Sequence, residues 1–296
     1  MIPALRLQKV ESRILAQTRE KLFAVESDPE VFARSIGFNP DPWQRERVLL
    51  GKGKRVLLNC CRQSGKSTVV AALALHRALI KAGSLILLVS PSLRQSSELF
   101  GKVTAFLNRL SQRPRLIEEN RLSIRFLNGS RIVSLPGKEG TIRGFSGAEL
   151  IIEDEASRVP DNLYRAIRPM LAVSGGSLML LSTPFGKRGH FFDEWTNGGS
   201  GWERVMVKAE ECPRISPEFL EEERKALGPW WFGQEYECEF SETEDSIFSY
   251  DLIQSAIDPD LTALEIKENE GNARQVFQHG DRSPILPNRR AGYRLS

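Results

Sequence analysis

One stretch decides the fold class of this chain: Cys60-Cys61-Arg62-Gln63-Ser64-Gly65-Lys66-Ser67-Thr68. Apolar runs at residues 56–58 and 69–73 flank it, which predicts a strand, a tight loop and a helix. Gly65-Lys66-Ser67 matches the end of the phosphate-binding pattern G-x-x-x-x-G-K-[ST], although Cys60 replaces the first glycine. Backbone N–H groups at a helix start bind phosphate oxygens. We predict a nucleotide site here, unless the turn merely caps an ordinary helix.

Two side chains of this loop have assigned tasks in such a site. Lys66 is expected to reach the β and γ phosphates, and the Ser67 hydroxyl is expected to ligate Mg²⁺. The loop residues predicted to contact the nucleotide are Cys61, Arg62, Gln63, Ser64, Gly65, Lys66, Ser67 and Thr68.

A second motif ends in carboxylates. Residues 150–155 read Leu-Ile-Ile-Glu-Asp-Glu, an apolar strand that delivers Asp154 to its carboxyl end, where open α/β sheets bind ligands. Asp154 is expected to hold Mg²⁺ through its water shell, and Glu155 to polarise an attacking water. The alternative is a strand followed by a solvated acidic turn.

A third apolar strand ends in small hydroxylated residues, Ser182-Thr183-Pro184. We expect Ser182 and Thr183 to hydrogen-bond the Glu155 side chain or the attacking water. Alone, this sequence is a common strand exit, but its position after the other two motifs supports a role at the same site.

The wider pattern alternates strands with helices, which predicts an α/β fold with a mostly parallel central sheet flanked by helices. An amphipathic helix covers 5–36, with a fresh start at Asp28-Pro29, and Asn128-Gly129 joins a hairpin. The strand at 85–89 between the loop and the carboxylates, and Glu155 after Asp154, predict a P-loop NTPase of the additional-strand, catalytic-glutamate type. The predicted strands are 56–59, 85–89, 123–126, 131–135, 150–153, 177–182 and 203–207, and the predicted helices are 5–36, 66–81, 93–110 and 161–172.

The order of these motifs resembles the large terminase subunit of tailed bacteriophages over roughly residues 35–250. The motifs that carry the resemblance are Trp43-Gln44, Cys60 to Thr68 with Arg62 inside the loop, Arg143-Gly144, Ile151 to Glu155 and Ser182-Thr183-Pro184. The resemblance implies that Trp43 and Gln44 recognise adenine and that Arg62 faces the phosphates. It also implies that Arg143 acts on a neighbouring subunit's ATP, although local pairing with Glu139 or Glu149 is an equal alternative.

The same resemblance implies a function. The chain would be the ATP-hydrolysing motor domain that drives viral DNA into procapsids, with ATP and Mg²⁺ bound and Glu155, Lys66, Arg62 and Arg143 catalytic. Its partners would be double-stranded DNA, the portal protein, the small terminase subunit and further copies in a ring, in the cytoplasm of a bacterial host.

We expect a helical segment at 1–40, the ATPase domain at 41–245 and a flexible linker or tail at 246–296. The residues after Phe240 are too few for the family's nuclease domain, so we expect a motor domain without a nuclease, a truncated prophage gene or an excised part of a longer protein, and the family's nuclease activity is in doubt for this chain.

Composition and charge add limits. No apolar stretch reaches the ~20 residues of a membrane span, and four cysteines show neither metal-ligand nor disulfide spacing. Residues 94–131 hold eight Lys or Arg against three Asp or Glu, which suggests contact with a phosphate backbone or a solvated helix and hairpin. The candidates are Lys102, Arg109, Arg113, Arg115, Arg121 and Arg125.

Two other functions fit parts of the pattern. Asp154-Glu155-Ala156-Ser157 with Ser182-Thr183-Pro184 resembles helicases with two RecA-like domains, but no room for a second such domain follows residue 245. A nucleotide-binding remnant without activity would explain the Cys60 substitution. It would not explain why Lys66, Ser67, Asp154 and Glu155 are all present.

Overall fold

The computed structural model describes residues 27–137, 144–242 and 250–257. The chain forms two compact units, Met1–Tyr250 and Asp251–Ser296. The first contains the sheet and all the motifs. Of the second, only residues 251–257 are described, and 251–256 belong to the helix that begins at Tyr250. Three predictions lie outside the described residues: the helix over 5–26, Arg143, and the flexible tail over 258–296.

An eight-stranded sheet forms the centre of the first unit, in the order β3-β4-β5-β2-β6-β7-β1-β8. Every pairing from β5 to β8 is parallel, and β3, β4 and β5 form an antiparallel edge. This confirms the predicted α/β class with a mostly parallel sheet. The strands are β1 Arg55–Cys60, β2 Leu85–Ser90, β3 Leu116–Glu119, β4 Ser123–Phe126, β5 Arg131–Pro136, β6 Leu150–Asp154, β7 Ser177–Ser182 and β8 Glu203–Val207.

The identity of the additional strand differs from the prediction. The sequence suggested that the strand at 85–89 lies between the phosphate-loop strand and the carboxylate strand. In the structure β7 occupies that place, paired with β1 on one side and β6 on the other, while β2 lies beyond β6. The prediction was wrong because it followed the order of the strands along the chain. Parallel strands are joined by crossovers and need not lie next to the strand that precedes them in sequence.

Helices cover both faces of this sheet. Alternate residues of β1 therefore enter two different cores: Val56 and Leu58 pack with the helices on one face, and Leu57 packs with those on the other. Phe32 and Ala33 belong to the first core. The helices are α1 Pro29–Ser35, α2 Lys66–Ile80, α3 Leu93–Arg109, α4 Asp161–Ile167, α5 Gly189–Asn197, α6 Pro217–Tyr236 and α7 Tyr250–Ala256, with a short π-helix at Gln44–Leu49.

Several local signals act as predicted. Asp28 caps α1 by accepting from the N–H groups of Glu30 and Val31, which confirms the helix start at Asp28-Pro29. The helix predicted over 66–81 is present as α2, and Gly83, with a φ of +73°, follows its end. The hairpin around Asn128 and Gly129 is also present, with Arg125 opposite Arg131.

One helix is shorter than predicted, and several elements were not anticipated. The predicted helix 161–172 leaves α-geometry after Ile167 and continues as a 3₁₀ turn, Arg168–Leu171. Pro169 explains this change, because it has no N–H to donate to the carbonyl of Arg165. The unpredicted elements include β3, the π-helix Gln44–Leu49, α5, α6, which is interrupted at Gly228, and α7, which lies in the segment expected to be a flexible linker or tail. Among the described residues, no helix combines the length and the apolarity that crossing a bilayer requires.

Candidate active site

The loop between β1 and α2 has the backbone of an anion-binding site. Gln63 and Gly65 both have positive φ angles, of 63° and 84°. Gly65 is the N-cap of α2, and its carbonyl accepts from the N–H groups of Thr68 and Val69. Alternating left-handed residues before a helix start turn successive N–H groups into one concavity, which favours a phosphate.

The loop is fixed from behind by the end of the sheet and by α6. The Cys61 N–H donates to the Val207 carbonyl (2.9 Å), and the Arg62 N–H donates to the Glu235 carbonyl (2.8 Å). Cys60, which replaces the first glycine of the pattern, is fully buried in the core, and its burial raises the pKa of its thiol. All four cysteines are free and buried. Cys60 therefore replaces the glycine of the pattern by packing its side chain into the core.

Three motifs meet because their strands are adjacent. The carboxyl ends of β6, β7 and β1 lie side by side, with Asp154 in register with Leu181 and Ser182 in register with Asn59. The sequence prediction that these motifs share one edge of the sheet is confirmed.

Lys66 lies at the centre of this edge, with only 9% of its side chain exposed. Its Nζ is 3.3 Å from Thr183 Oγ1, to which it donates, and 3.4 Å from Glu155 Oε1. Burial acts to lower the pKa of Lys66, but the charges of Glu155 and Asp154 outweigh it, and the pKa is raised. Lys66 therefore carries its charge at neutral pH.

Asp154 and Ser67 provide the oxygen atoms that the sequence assigned to Mg²⁺. Asp154 is buried at the end of β6 and accepts a hydrogen bond from the Ser67 side chain. Burial, with the neighbouring Glu155 charge, raises the pKa of Asp154 to about 6. A buried carboxylate beside a hydroxyl fits Mg²⁺, which binds to one or two carboxylates and completes its shell with waters and phosphates.

Glu155 is held in an uncommon backbone conformation. Its φ of 54° and ψ of 42° place it in the left-handed region, directly after β6. Its carboxylate lies between Lys66 and Arg158, whose NH1 is 3.6 Å from Oε2. The Arg158 guanidinium also stacks over the Phe185 ring at 4.3 Å. A non-glycine residue held in the left-handed region is a typical feature of a functional site.

The hydroxyls after β7 have other partners than expected. Ser182 Oγ lies 2.6 Å from Ser157 Oγ, and Ser157 Oγ also donates to the Thr183 carbonyl. The hydrogen bonds found for Ser182 and Thr183 thus go to Ser157 and Lys66, and not to the Glu155 side chain. Both residues remain next to the site, and their contact with a water or nucleotide stays a prediction.

Trp43 and Gln44 lie behind the loop. Trp43 packs against the core, with its Nε1 buried and without a partner in the described residues. Gln44 is fully buried, its Oε1 accepts from the Asp41 N–H (2.9 Å), and its Nε2 donates to the Ser64 carbonyl (3.1 Å). Both ends of the amide are therefore engaged within the protein, and adenine recognition stays a prediction.

Of the predicted basic residues, Arg62 is 66% exposed and its NH1 lies 3.5 Å from Glu235 Oε2. Arg143 lies outside the described residues. Glu149, one of its suggested partners, contacts Lys81 and Arg77. Lys102, suggested for DNA, is half-buried on α3, and its charge acts on Asp154.

Two arginines of the site were missed. Arg214 donates to the Ser64 carbonyl, and Arg158 pairs with Glu155. The spacing of three residues between Glu155 and Arg158 was a usable signal. Arg214 lies in the loop after β8, and nothing in its neighbourhood distinguishes it from a solvated residue.

A buried polar group lies behind the site. Glu153, the residue before Asp154, is fully buried, and its Oε1 lies 2.6 Å from His190 Nε2. His190 Nδ1 is 3.1 Å from Asp161 Oδ1, and the Tyr164 ring stacks on the imidazole at 4.2 Å. Burial raises the pKa of Glu153 even against the hydrogen bond from His190. This network connects β6 to α4 and α5.

Comparison with known sequences identifies one family over most of this region. The family described as terminase large subunit, T4likevirus-type, N-terminal, matches residues 57–255. The large terminase subunit of Thermus phage G20c is 26% identical over 254 residues, which cover 74% of this chain and 52% of that protein. The large subunit of Escherichia phage T5 is 25% identical over 195 residues, 63% of this chain and 44% of that protein. The chain spans about half the length of these relatives.

Solved structures agree on the fold. The large terminase ATPase domain of Thermus phage P74-26 has a TM-score of 0.63 at 23% identity, covering 72% of this chain and 98% of that domain. The large terminase of bacteriophage HK97 has a TM-score of 0.52 at 16% identity, covering 67% of this chain and 43% of that protein.

Proposed function

This chain belongs to the terminase large subunit family, and we propose that it is the ATP-hydrolysing motor domain that drives viral DNA into procapsids. One observation carries the proposal: Lys66 and Ser67, which follow β1, meet Asp154 and Glu155, at the end of β6, on either side of β7 and beside a loop with anion-binding geometry. The helicase and remnant alternatives are not favoured by the family match.

The chemistry is in-line attack of water on the γ-phosphate of ATP. The N–H groups of residues 61–68 bind the phosphates, and Lys66 neutralises the charge that develops on them. Ser67 and Asp154 would hold Mg²⁺, which offsets charge on the β and γ oxygens when bound. Glu155 orients the water. Most of the rate then comes from positioning and electrostatics rather than from covalent chemistry.

The pairing of Glu155 suggests how the reaction is gated. In the structure its carboxylate contacts Lys66 and Arg158. Phosphate oxygens compete for the Lys66 ammonium, so nucleotide binding removes one partner of Glu155 and frees an oxygen to accept from water. Arg158 stacks on Phe185, just after Ser182-Thr183-Pro184, and links the glutamate to this segment.

The partners follow from the family and are part of the proposal. They are double-stranded DNA, the portal protein, the small terminase subunit and further copies of the chain in a ring, in the host cytoplasm. Arg62, exposed on the loop, and Arg143 are the candidates to stabilise charge at the γ-phosphate, in the same or a neighbouring subunit.

For DNA, we propose the antiparallel edge of the sheet. Arg125 and Arg131 face each other across β4 and β5, and both are exposed. Glu118 lies in register with Arg125 and offsets one of the two charges. Like charges opposite each other destabilise a hairpin, and a phosphate backbone would relieve the repulsion. The other exposed arginines of the block are Arg94, Arg109, Arg113, Arg115 and Arg121.

The test is Mg²⁺-dependent ATP hydrolysis by the purified chain, with and without DNA, beside Glu155→Gln. Glu149→Gln is the matched control, because Glu149 directly precedes the same strand at its other end, where it pairs with Lys81. We expect turnover in the native chain and the control, and a loss of at least ~100-fold in Glu155→Gln, within the ~10²–10⁴ typical of a positioned acid–base group.

The result that would overturn the proposal is equal turnover in Glu155→Gln and the native chain, since Glu155 would then not orient the water. Absence of turnover in the native chain at high protein concentration, with DNA and the portal protein added, would overturn it as well.

A further inference from the structure

Two donors from distant parts of the chain meet on one carbonyl of the phosphate loop. The Ser64 carbonyl accepts from Gln44 Nε2 at 3.1 Å and from Arg214 NH2 at 3.0 Å. Gln44 precedes β1, and Arg214 follows β8. Both donors lie at the back of the loop, next to Gly65, where a Cβ would meet Gln44 Nε2 at 2.7 Å and Arg214 NH2 at 3.2 Å.

The orientation of this carbonyl decides where the next N–H points. A trans peptide unit is planar, with its C=O and N–H directed to opposite sides. Because the Ser64 oxygen points to Gln44 and Arg214, the Gly65 N–H points away from them, into the loop. Gly65 tolerates both signs of φ, so without the two donors this peptide unit is free to rotate at little cost.

Arg214 is itself fixed. Its NH1 donates to Asp41 Oδ1 at 2.6 Å, and the N–H of Asp41 donates to Gln44 Oε1 at 2.9 Å. Asp41, Gln44, Ser64 and Arg214 thus form a closed ring of four hydrogen bonds around the back of the loop. Gln44 and Asp41 are buried, whereas 49% of the Arg214 side chain is exposed.

We propose that Arg214 is a positioning residue of the phosphate loop: with Gln44, it holds the Ser64–Gly65 peptide unit so that the Gly65 N–H faces the phosphates. This rests on the proposed nucleotide site and names a residue that the sequence motifs do not contain. It also gives Gln44 a task that is independent of the base, because its amide is engaged with the loop backbone.

The proposal differs measurably from recognition of the base. A residue that reads adenine discriminates ATP from GTP, whereas a residue that orients a loop N–H affects every ligand with a polyphosphate. The useful probes are therefore ADP, GDP and inorganic tripolyphosphate. All three carry linked phosphates, but the first carries adenine, the second guanine and the third no base. Their binding can be detected without hydrolysis.

The experiment measures binding of these three ligands, with Mg²⁺, by titration calorimetry for the native chain, Arg214→Ala, Arg214→Lys and Gln44→Ala. Arg168→Ala is the control, since Arg168 is similarly exposed (42%) and pairs with Glu194. It lies near the amino ends of the strands, away from the phosphate loop. We expect Arg214→Ala to lose about tenfold in affinity for all three ligands, as one charge-assisted hydrogen bond suggests. Arg214→Lys should recover part of the loss, because lysine retains a donor but lacks the planar fork.

Steady-state kinetics provide a second readout. Arg214→Ala should raise the KM for ATP about tenfold and leave kcat within about threefold, because the group acts on the loop and does not touch the reacting atoms. Thermal unfolding checks that the variants fold. If Arg214→Ala fails to fold, Asp41→Asn, which keeps the donors and loosens only their anchor, should show a smaller loss in the same direction.

Two results would overturn the inference alone: unchanged affinities in Arg214→Ala and Asp41→Asn, or a loss confined to ADP, which indicates base recognition. Failure of the native chain to bind any of the three ligands would instead overturn the proposed function, and the inference with it.

Discussion

Lys66 Nζ lies 3.4 Å from Glu155 Oε1, so the cation of the phosphate loop and the carboxylate expected to orient water are paired across β1 and β6. Asp154 adds a second negative charge beside the same ammonium, which raises the pKa of Lys66. Lys66 is therefore the buried cation that both carboxylates share, and the more exposed Arg158 gives Glu155 a second partner. Stability, the pH dependence of stability, and catalysis therefore all depend on Lys66, Asp154 and Glu155.

Removal of that cation should destabilise the protein. We expect Lys66→Met, which keeps the length and loses the charge, to lower the free energy of unfolding by about 2–3 kcal/mol at pH 7.5, because both carboxylates lose their most buried cationic neighbour and only the more exposed Arg158 and Lys102 remain. At pH 5.5 the loss should be smaller, since a pKa of about 6 leaves most of Asp154 protonated and removes its interaction with Lys66. Urea unfolding at the two pH values measures this.

The control for Lys66→Met is Lys81→Met, which removes an exposed lysine paired with Glu149. Surface pairs contribute little, so its effect should stay within about 1 kcal/mol. Equal losses in the two variants, or a loss from Lys66→Met that grows at pH 5.5, would contradict the charge balance.

The raised pKa of Asp154 predicts that its ionised form, which would bind Mg²⁺, makes the folded protein less stable than the protonated form does. Its folded pKa of about 6 lies above its ordinary value of 3.8. The folded state thus binds the proton more tightly, and the stability this contributes is complete below pH 3.8 and lost as pH rises through about 6. Without Mg²⁺ at pH 7.5, Asp154→Asn should be more stable than the native chain by about 2–3 kcal/mol.

The measurement is the free energy of unfolding of both proteins from pH 4 to 8, with a chelator present. The difference should shrink towards zero at pH 4, and Mg²⁺ with nucleotide should stabilise only the native chain. A less stable Asp154→Asn at pH 7.5 would show that the carboxylate has a structural rather than a ligand-binding role.

Much of the site was predictable because each motif is local. The apolar runs before Cys60, Asp154 and Ser182 identified three strands, and residues that follow such strands meet at the carboxyl edge of a parallel sheet. Asp28 as a helix cap and Asn128-Gly129 as a hairpin turn were likewise read from a few adjacent residues.

What was missed depends on contacts between distant segments. The position of β7 between β1 and β6 is set by how crossovers pack, which no local pattern contains. Arg214 contacts the Ser64 carbonyl across 150 residues of sequence. Glu153 and His190 show the same limit, because a carboxylate before Asp154-Glu155 looks like part of an acidic turn until its partner is known.

The Glu153–His190 pair should be important for stability and not for catalysis. Both side chains are buried, and their 2.6 Å contact is the one partner of Glu153, whose other oxygen has none in the described structure. His190→Ala leaves that carboxyl without a partner and should cost about 3–5 kcal/mol. Chemical denaturation measures the loss, and KM for ATP at a temperature where the variant is folded should change less than threefold.

His190→Gln is the matching variant, because its amide retains a donor towards Glu153 and should recover part of the stability. If His190→Ala instead unfolds like the native chain but hydrolyses ATP slowly, the pair acts in catalysis and the structural interpretation is wrong.

Alanine substitutions at Gly65 and Gly83 distinguish the stability cost of a positive φ angle from an effect on the geometry of the phosphate loop. Both have positive φ angles, of 84° and 73°, so alanine should cost each position about 1–2 kcal/mol. At Gly65 a methyl group would also meet Gln44 Nε2 at 2.7 Å, whereas at Gly83 nothing lies within 4 Å. Gly65→Ala should therefore lose at least tenfold in ADP affinity, and Gly83→Ala should bind normally. Equal affinities would mean that the loop adapts to the methyl group without losing its N–H geometry.

The exposed arginine pair on β4 and β5 gives a direct test of the proposed DNA surface. Each arginine that neutralises a phosphate contributes about −0.9 to the slope of log K against log salt. Removal of both charges, by Arg125→Ala with Arg131→Ala, should reduce that slope by about one to two and weaken binding to any duplex sequence. Fluorescence anisotropy with a short duplex at several salt concentrations gives the slopes.

The control for this arginine pair is Arg55→Ala, because Arg55 is an exposed strand residue on β1, four strands from β5. Its slope should match that of the native chain. Because the repulsion between Arg125 and Arg131 is relieved in the double variant, the stability of that variant should not fall. A lower slope with intact stability therefore reports lost phosphate contacts, whereas an unchanged slope would place the DNA on another face of the molecule.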